Sequence, residues 1–268
     1  MTPIAVTIAG SDSGGGAGLQ ADLKTFSALG VYGASVVTAL TAQNTRGVTG
    51  IHDVPPDFIA AQIDAVFSDL DVRAVKIGML SQPAVIEAVA TGIERWKQTN
   101  VVLDPVMVAT SGDRLLAPAA VAVLKRRLIP HALVLTPNLP EAAALTDMPL
   151  AATEEAMRAQ AKALIALGAR TIVIKGGHGQ GEESIDLIVD RSGSETRLAF
   201  PRIATKNTHG TGCTLAAGIA AGIAKGVRPP DAIMAARRYL QEALIAGARL
   251  GIGAGHGPVH HFHAWWQT

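Results

Sequence analysis

Short β-branched runs alternate along this chain with longer stretches rich in Ala and Leu. That alternation constrains the fold more than any other feature. Ile4–Ala9, Ser35–Ala39, Ala74–Ile77, Val101–Leu103, Leu133–Thr136 and Thr171–Lys175 read as strands. Gly18–Leu29, Asp57–Ser68, Pro83–Trp96, Pro118–Leu128 and Thr153–Leu167 read as helices. Such alternation implies right-handed crossovers, hence an α/β fold: a three-layer α/β/α sandwich with a mostly parallel central sheet and helices on both faces. A sheet covered on both faces needs apolar strands. The composition agrees, since 49% of the 268 residues are hydrophobic while only 4% are aromatic. Two further strands, near Ser184–Val189 and Thr196–Phe200, flank Asp190-Arg191-Ser192-Gly193 and predict an antiparallel hairpin at the sheet edge. Helices over Thr211–Lys225 and Pro230–Leu250 close the chain. No linker, charge block or repeat divides it, so residues 1–268 are expected to form one domain.

Charge and cysteine content narrow the function classes. Lys plus Arg is 23 and Asp plus Glu is 22, a formal net charge of +1. That balance offers no electrostatic footprint for nucleic acid and no polybasic patch for a membrane. Cys213 is the single cysteine, which excludes a disulfide framework. Met1-Thr2-Pro3 lacks the basic region of a secretion signal. The apolar stretch from Gly210 to Ala224 is too short and too rich in small residues to span a bilayer. The expected setting is the cytoplasm.

In open α/β sheets ligands bind at the carboxyl ends of the strands, and the unusual residues fall there. The first strand runs into Gly10-Ser11-Asp12-Ser13-Gly14-Gly15-Gly16-Ala17-Gly18. Gly14 and Gly16 match a dinucleotide fingerprint, but the third glycine, Gly18, comes one residue early. No Gly-Lys dipeptide exists for a Walker A loop, and no Gly-x-Ser-x-Gly elbow occurs. The segment is either bare backbone approaching a ligand or a structural turn.

Lys206-Asn207-Thr208-His209-Gly210-Thr211-Gly212-Cys213-Thr214 leads into a helix. Gly210, Thr211 and Gly212 can aim several N–H groups at one point, and the helix terminus adds partial positive charge. That makes an anion hole suited to a transferring phosphoryl group; the alternative is a capped tight turn. Cys213 lies in the first helical turn, where a thiol's pKa is lowered, so it is a candidate nucleophile or base. The alternative is a small packing residue. Asn138 and Glu141, three apart after a strand, offer the oxygens that Mg²⁺ prefers, or else form a capping box. Asp104 stands near a metal or phosphate, or caps a turn. Lys175 neutralises phosphate, or is solvated. Together an anion hole, an acid–amide pair and a lysine on one sheet edge point to phosphoryl transfer rather than hydride transfer.

Asn207-Thr208-x-Gly210-Thr211-Gly212-Cys213, with Asn138-x-x-Glu141, resembles the vitamin-kinase branch of the ribokinase-like superfamily. Ala9-Gly10-Ser11-Asp12 with Gly14–Gly18, Leu19 through Phe26, Thr41-Ala42-Gln43-Asn44-Thr45, Lys76-Ile77-Gly78-Met79-Leu80 and Gly257-Pro258-Val259-His260-His261-Phe262 narrow the likeness. They resemble the hydroxymethylpyrimidine/phosphomethylpyrimidine kinases. The resemblance implies a ribokinase-like fold and MgATP-dependent phosphorylation of 4-amino-5-hydroxymethyl-2-methylpyrimidine, then of its monophosphate, in thiamine biosynthesis. It implies that Gln43 binds the pyrimidine, with Gly10, Asp22, Met79 and Val106 around it. Asn138, Glu141, Asp104 and Thr208 would serve ATP and Mg²⁺, the ion held by Glu141 and Asn138 through water. Lys175, Gly210, Thr211 and Gly212 would serve the transfer itself. Cys213 stands where the wider superfamily usually carries the aspartate base. A homodimer is also implied. This chain departs from many relatives by one extra glycine after Ser13, where a proline is common.

Three other readings stand beside this one: a pyridoxal kinase of the same superfamily, a binding module without activity, and an oxidoreductase, which the glycine spacing disfavours. His256, His260, His261 and His263 lie within eight residues and taken alone suggest a metal site. Trp265 and Trp266 are expected to pack against the body or a partner subunit.

Overall fold

The computed structural model describes residues 1–108, 112, 115–179 and 181–266. The strands are β1 (Ile4–Gly10), β2 (Tyr32–Asn44), β3 (Gly47–Asp53), β4 (Ala74–Ile77), β5 (Val101–Leu103), β6 (Ala132–Leu135), β7 (Thr171–Ile174), β8 (Glu183–Asp190) and β9 (Glu195–Pro201). The helices are α1 (Gly18–Ala28), α2 (Pro56–Phe67), α3 (Pro83–Arg95), α4 (Pro118–Arg127), α5 (Leu139–Thr146), α6 (Glu154–Ala166), α7 (Thr211–Ala224) and α8 (Pro229–Gly247).

Among the described residues the strands form one nine-stranded sheet in the order β3-β2-β1-β4-β5-β6-β7-β8-β9. From β2 to β7 neighbouring strands run parallel. β3 is antiparallel to β2, and β8 is antiparallel to both β7 and β9. The central strands β4, β5 and β7 are buried along their whole length, as parallel strands covered on both faces must be. Helices α2 to α6 pack on one face around Ile63, Val89, Leu124 and Leu164. Helices α1, α7 and α8 pack on the other around Phe26, Leu215, Ile219 and Leu240. Proline opens α2, α3, α4 and α8, where its missing N–H costs nothing.

The glycine-rich, aromatic-poor composition finds its reason in α7. A Cβ on Gly218 would lie 3.0 Å from Ala236 Cβ, and one on Gly222 would lie 2.8 Å from Ala232 Cβ. Helices α7 and α8 therefore meet almost backbone to backbone. This close seating lets α7 run between α8 and the sheet and brings its first turn to the strand ends.

Two elements differ from the sequence reading. β2 extends well past the predicted Ser35–Ala39, and β3 was not predicted at all. Gly47, Gly50, His52 and Asp53 give β3 poor strand propensity, and its pairing with β2 from Ala39 to Asn44 makes it a strand. Helix α5 is short and carries Pro140; the capping box offered as the alternative for Asn138 and Glu141 starts it. The C-terminal tail folds back on the helices. His261 Nε2 lies 3.1 Å from Thr214 Oγ1, and Tyr239 Oη donates to the His261 carbonyl at 2.6 Å. Burial pushes the His261 imidazole down to about 3, so it is neutral at this contact. Trp266 stacks on Phe262, but Trp265 and Trp266 stay 70% and 56% exposed. Trp266 also meets the His260 ring, tilted, with centroids 5.3 Å apart.

Gly222→Val inserts a branched side chain into the α7–α8 seam. It should lower the unfolding free energy by about 1–3 kcal/mol, the usual cost of overpacking. Urea denaturation checks this: the midpoint falls and the slope stays constant.

Candidate active site

β1 delivers the glycine loop to the sheet's carboxyl edge, and the loop winds around its own aspartate. Asp12 Oδ1 accepts the Gly14 N–H at 2.8 Å, and Oδ2 accepts those of Gly16 at 3.0 Å and Ala17 at 2.8 Å. His209 Nε2 stands 2.7 Å from the same Oδ2. Burial opposes ionisation of Asp12, but the His209 contact and the backbone N–H groups prevail and hold its carboxyl below the usual range. The N–H groups of Gly14, Gly16 and Ala17 are therefore committed to an internal anion. This corrects one reading of the loop: Gly10, Ser11, Ala17 and Gly18 line the cavity, while Gly14 and Gly16 hold Asp12.

The second glycine segment locks onto the first. Gly210 has φ +82°, and a Cβ there would fall 1.9 Å from the Gly16 carbonyl oxygen. A Cβ on Gly16 would fall 2.4 Å from His209 Cδ2. Only glycine fits either place. Asp12 and His209 are the residues that sequence reasoning passed over. Their signal was a carboxylate inside a loop of N–H donors and an imidazole inside Thr-His-Gly-Thr-Gly, but their meeting spans most of the chain.

At the phosphoryl end, α7 begins after Gly210 with no capping side chain. Its first-turn N–H groups point out of the helix terminus toward the cavity. Lys175 follows β7. Its Nζ lies 2.7 Å from Asp104 Oδ1 and 3.8 Å from Glu141 Oε2. Thr136 Oγ1 donates to Asp104 Oδ1 at 3.1 Å. A Cβ on Gly212 would sit 3.3 Å from Lys175 Nζ and 3.4 Å from Asp104 Oδ2, so glycine keeps this space open. Burial works against the ammonium of Lys175, but Asp104 and Glu141 outweigh it and raise its pKa, so the charge persists. Burial pushes Glu141 up to about 7, against the pull of Lys175 and with the push of Asp104.

Asn138 and Glu141 form the capping box that was the alternative to metal ligation. Asn138 Oδ1 accepts the Glu141 N–H at 2.9 Å, and Glu141 Oε2 accepts the Asn138 N–H at 2.8 Å. The cap sets Glu141 beside Lys175 and engages Asn138 Oδ1 with the helix start.

Asp22 is placed differently from expectation. It is fully buried, accepting from Lys76 Nζ at 2.8 Å and from Thr7 Oγ1 at 2.6 Å, and it does not line the cavity. Lys76, which the sequence reading did not single out, lines the cavity instead. The reason is geometric: Asp22 is on the face of α1 turned to the sheet, where a carboxylate is tolerated only with a buried cation. The Cys213 thiol also departs from expectation. Burial pushes it up to about 11, against the pull of Lys76 and with Asp22 and Asp104 adding to the rise. Burial thus outweighs the helix terminus, and the group is a thiol at neutral pH.

Apart from Asp22 and the four tail histidines, every residue singled out for a site lines one continuous cavity of about 990 Å³. On its wall Gly10 meets Met79, a Cβ on Gly10 falling 3.0 Å from Met79 Sδ, while Asp104, Glu141 and Lys175 cluster against Gly212. Gln43 Oε1 accepts from Thr41 Oγ1 at 3.1 Å, and its amide nitrogen stands 3.5 Å from His209 Nε2.

A mostly parallel sheet whose carboxyl edge sets an uncapped helix terminus against a lysine held by two acids belongs to the ribokinase-like class of phosphotransferases. Within that class, the chain belongs to the phosphomethylpyrimidine kinase family, whose model matches residues 12–260. It is 60% identical over 267 residues to the hydroxymethylpyrimidine/phosphomethylpyrimidine kinase of Rhizobium meliloti, covering 100% of both chains. It is 52% identical over 259 residues to a thiamine biosynthesis bifunctional protein of Geobacter sulfurreducens, covering 97% of this chain and 52% of that protein. The ADP complex of Bacillus subtilis pyridoxal kinase superposes with a TM-score of 0.90 at 36% identity, covering 98% of this chain and 99% of that one.

The single cysteine makes the thiol's ionisation directly measurable. The rate of Cys213 alkylation by iodoacetamide should keep rising with unit slope in log rate past pH 9, where a free thiol of pKa about 8.5 levels off. A plateau near pH 8.5 would show that burial does not hold the thiol protonated.

Proposed function

We propose that this chain transfers the γ-phosphoryl group of ATP to the hydroxymethyl group of 4-amino-5-hydroxymethyl-2-methylpyrimidine. It then transfers a second phosphoryl group to that monophosphate, giving the pyrophosphate used in thiamine biosynthesis. Residues 1–268 act as one unit. The observation that carries the reading is that the uncapped start of α7 sets Gly212 against the Lys175–Asp104–Glu141 cluster in one cavity that Gln43 and Met79 also line. A phosphoryl group passing between two oxygens needs both held on either side of such a terminus.

The residues divide the work as follows. The Gln43 amide carries a donor and an acceptor in one plane, matching the edge of an aminopyrimidine. Met79 and Val106 present apolar surface to a flat ring. The N–H groups of Gly212 and Cys213 receive the charge on the transferred group, and Lys175 neutralises the polyphosphate beside it. A loose transition state asks for little deprotonation of the attacking hydroxyl. Held as a thiol by a pKa of about 11, Cys213 orients that hydroxyl and accepts its proton only as the thiolate, after losing its own. Asp104 and Glu141 fit Mg²⁺: two buried carboxylates converge there with only one lysine between them, and hard oxygen donors suit that ion. The bound ion would neutralise charge on the β- and γ-phosphates.

Pyridoxal is the second substrate to consider, on the strength of the likeness to a pyridoxal kinase and the roomy cavity. The reading further has the enzyme as a cytoplasmic homodimer. Leu40 and Ile51, exposed on the open β2–β3 edge, are surface that a second copy would cover. Among the described residues no helix is long and apolar enough to cross a membrane.

Incubation with MgATP and the hydroxymethylpyrimidine should yield first the monophosphate and then the pyrophosphate by mass. The kcat/KM on this substrate should exceed that on pyridoxal by at least about tenfold, the ratio set by one lost ring-edge hydrogen bond. The opposite ratio would make it a pyridoxal kinase, and no turnover of either would end the reading. Cys213→Ala should lower kcat by about 10²-fold or more with the KM for ATP unchanged. Near-normal turnover would remove Cys213 from the proton transfer.

A further inference from the structure

A buried polar chain lines the same cavity and reaches the turn after Lys175. Arg237 on α8 donates from Nε to Asp186 Oδ2 on β8 at 2.8 Å. Asp186 Oδ1 accepts the N–H of Gly176 at 2.9 Å, and Gly176 is the residue directly after Lys175. At the outer end Arg237 Nη1 donates to Gln241 Oε1 at 2.9 Å, and Gln241 Nε2 donates to the Pro201 carbonyl at 2.8 Å. The Arg237 guanidinium also lies over the Phe200 ring, 4.4 Å from its centroid. Asp186, Arg237 and Gln241 are only 3%, 4% and 6% exposed.

An ion pair this deep is a poor way to stabilise a fold, because apolar side chains of equal volume serve as well or better. Its placement gives it another use. Gly176 is pressed so closely on β8 that a Cβ would lie 1.8 Å from the Ile185 carbonyl oxygen. No side chain can hold the turn at that residue, so its N–H is a handle, beside the Lys175 N–H that the Pro137 carbonyl accepts at 2.8 Å. Lys175 in turn needs a fixed backbone, since its ammonium sits 2.7 Å from Asp104 and 3.8 Å from Glu141 and must also face the anion hole.

We propose that the Arg237–Asp186 pair is the positioning device of the Lys175–Gly176 turn and so sets the enzyme's affinity for the polyphosphate of its nucleotide. It leaves the pyrimidine end untouched. The pair acts through Lys175 and transfers no proton or phosphoryl group. This rests on the kinase reading above, in which Lys175 faces the phosphates.

The test compares ATP with inorganic tripolyphosphate, which carries the phosphates without the nucleoside. Asp186→Asn keeps the shape and an acceptor for Gly176 but sets an amide N–H against Arg237. It should raise the KM for ATP and the inhibition constant of tripolyphosphate by about tenfold each, the loss of one charge-assisted hydrogen bond. The KM for the pyrimidine should stay within about twofold. Arg237→Lys keeps the charge without the planar fork. It should move the same two constants in the same direction by less, which covers the case of an Asp186 variant that does not fold. The inference is overturned if the tripolyphosphate constant stays at the wild-type value while ATP weakens, since the pair would then touch the nucleoside. It is equally overturned if all three constants rise together, or none moves. Wild-type protein that turns over no pyrimidine defeats the kinase reading instead, and calorimetric binding of tripolyphosphate to both variants still decides the positioning role.

Discussion

The contact between Asp12 and His209, two side chains 197 residues apart in sequence, holds the site together. One carboxylate collects three loop N–H groups and an imidazole, and so converts two flexible glycine segments into one rigid edge. Glycine is needed on both sides of the contact because a Cβ on Gly210 would strike the Gly16 carbonyl oxygen and one on Gly16 would strike the His209 ring. The anion hole at the start of α7 inherits its position from this joint. The tail strengthens it from behind, where neutral His261 meets Thr214 in the first turn of the same helix.

Around the cavity, charge is arranged in buried pairs. Lys76 with Asp22, Lys175 with Asp104, and Arg237 with Asp186 surround the cavity, each deep in the protein. In a low-dielectric interior such charges act strongly on a phosphate without needing a field from the whole molecule. That explains how a chain of formal net charge +1 handles polyanions. The pairs also set one another's protonation. Lys76 draws the Cys213 thiol down while burial and the two aspartates push it up, and the balance leaves a protonated group beside the anion hole.

The layered α/β architecture was legible because apolar β-branched runs and helical runs of small residues alternate too regularly to fold otherwise. The β8–β9 hairpin was legible from its turn residues. β3 was not, since its glycines, histidine and aspartate form a strand only when β2 is there to pair with them. Helix α5 was legible only as the capping-box alternative, since its eight residues gain their start from the Asn138–Glu141 cap rather than from apolar periodicity. In the site, the residues lining the cavity were recognisable by type and by their place after strands. Asp22 carried the right chemistry but faces the sheet, and Lys76 reaches the cavity in its stead.

Local rules of backbone and side chain were enough to settle most of the strands and helices, and that phosphoryl chemistry belongs at one edge of the sheet. These properties depend on neighbours a few residues away, so they are written in order along the chain. Protonation states, the partners of each buried charge, and the joint between the two glycine segments depend on groups brought together from distant positions and stripped of water. Burial and Coulomb interaction grow strong only after the layers close. The ionisation of Cys213, the role of Asp22 and the chain from Arg237 to Lys175 were therefore decided by the folded structure alone.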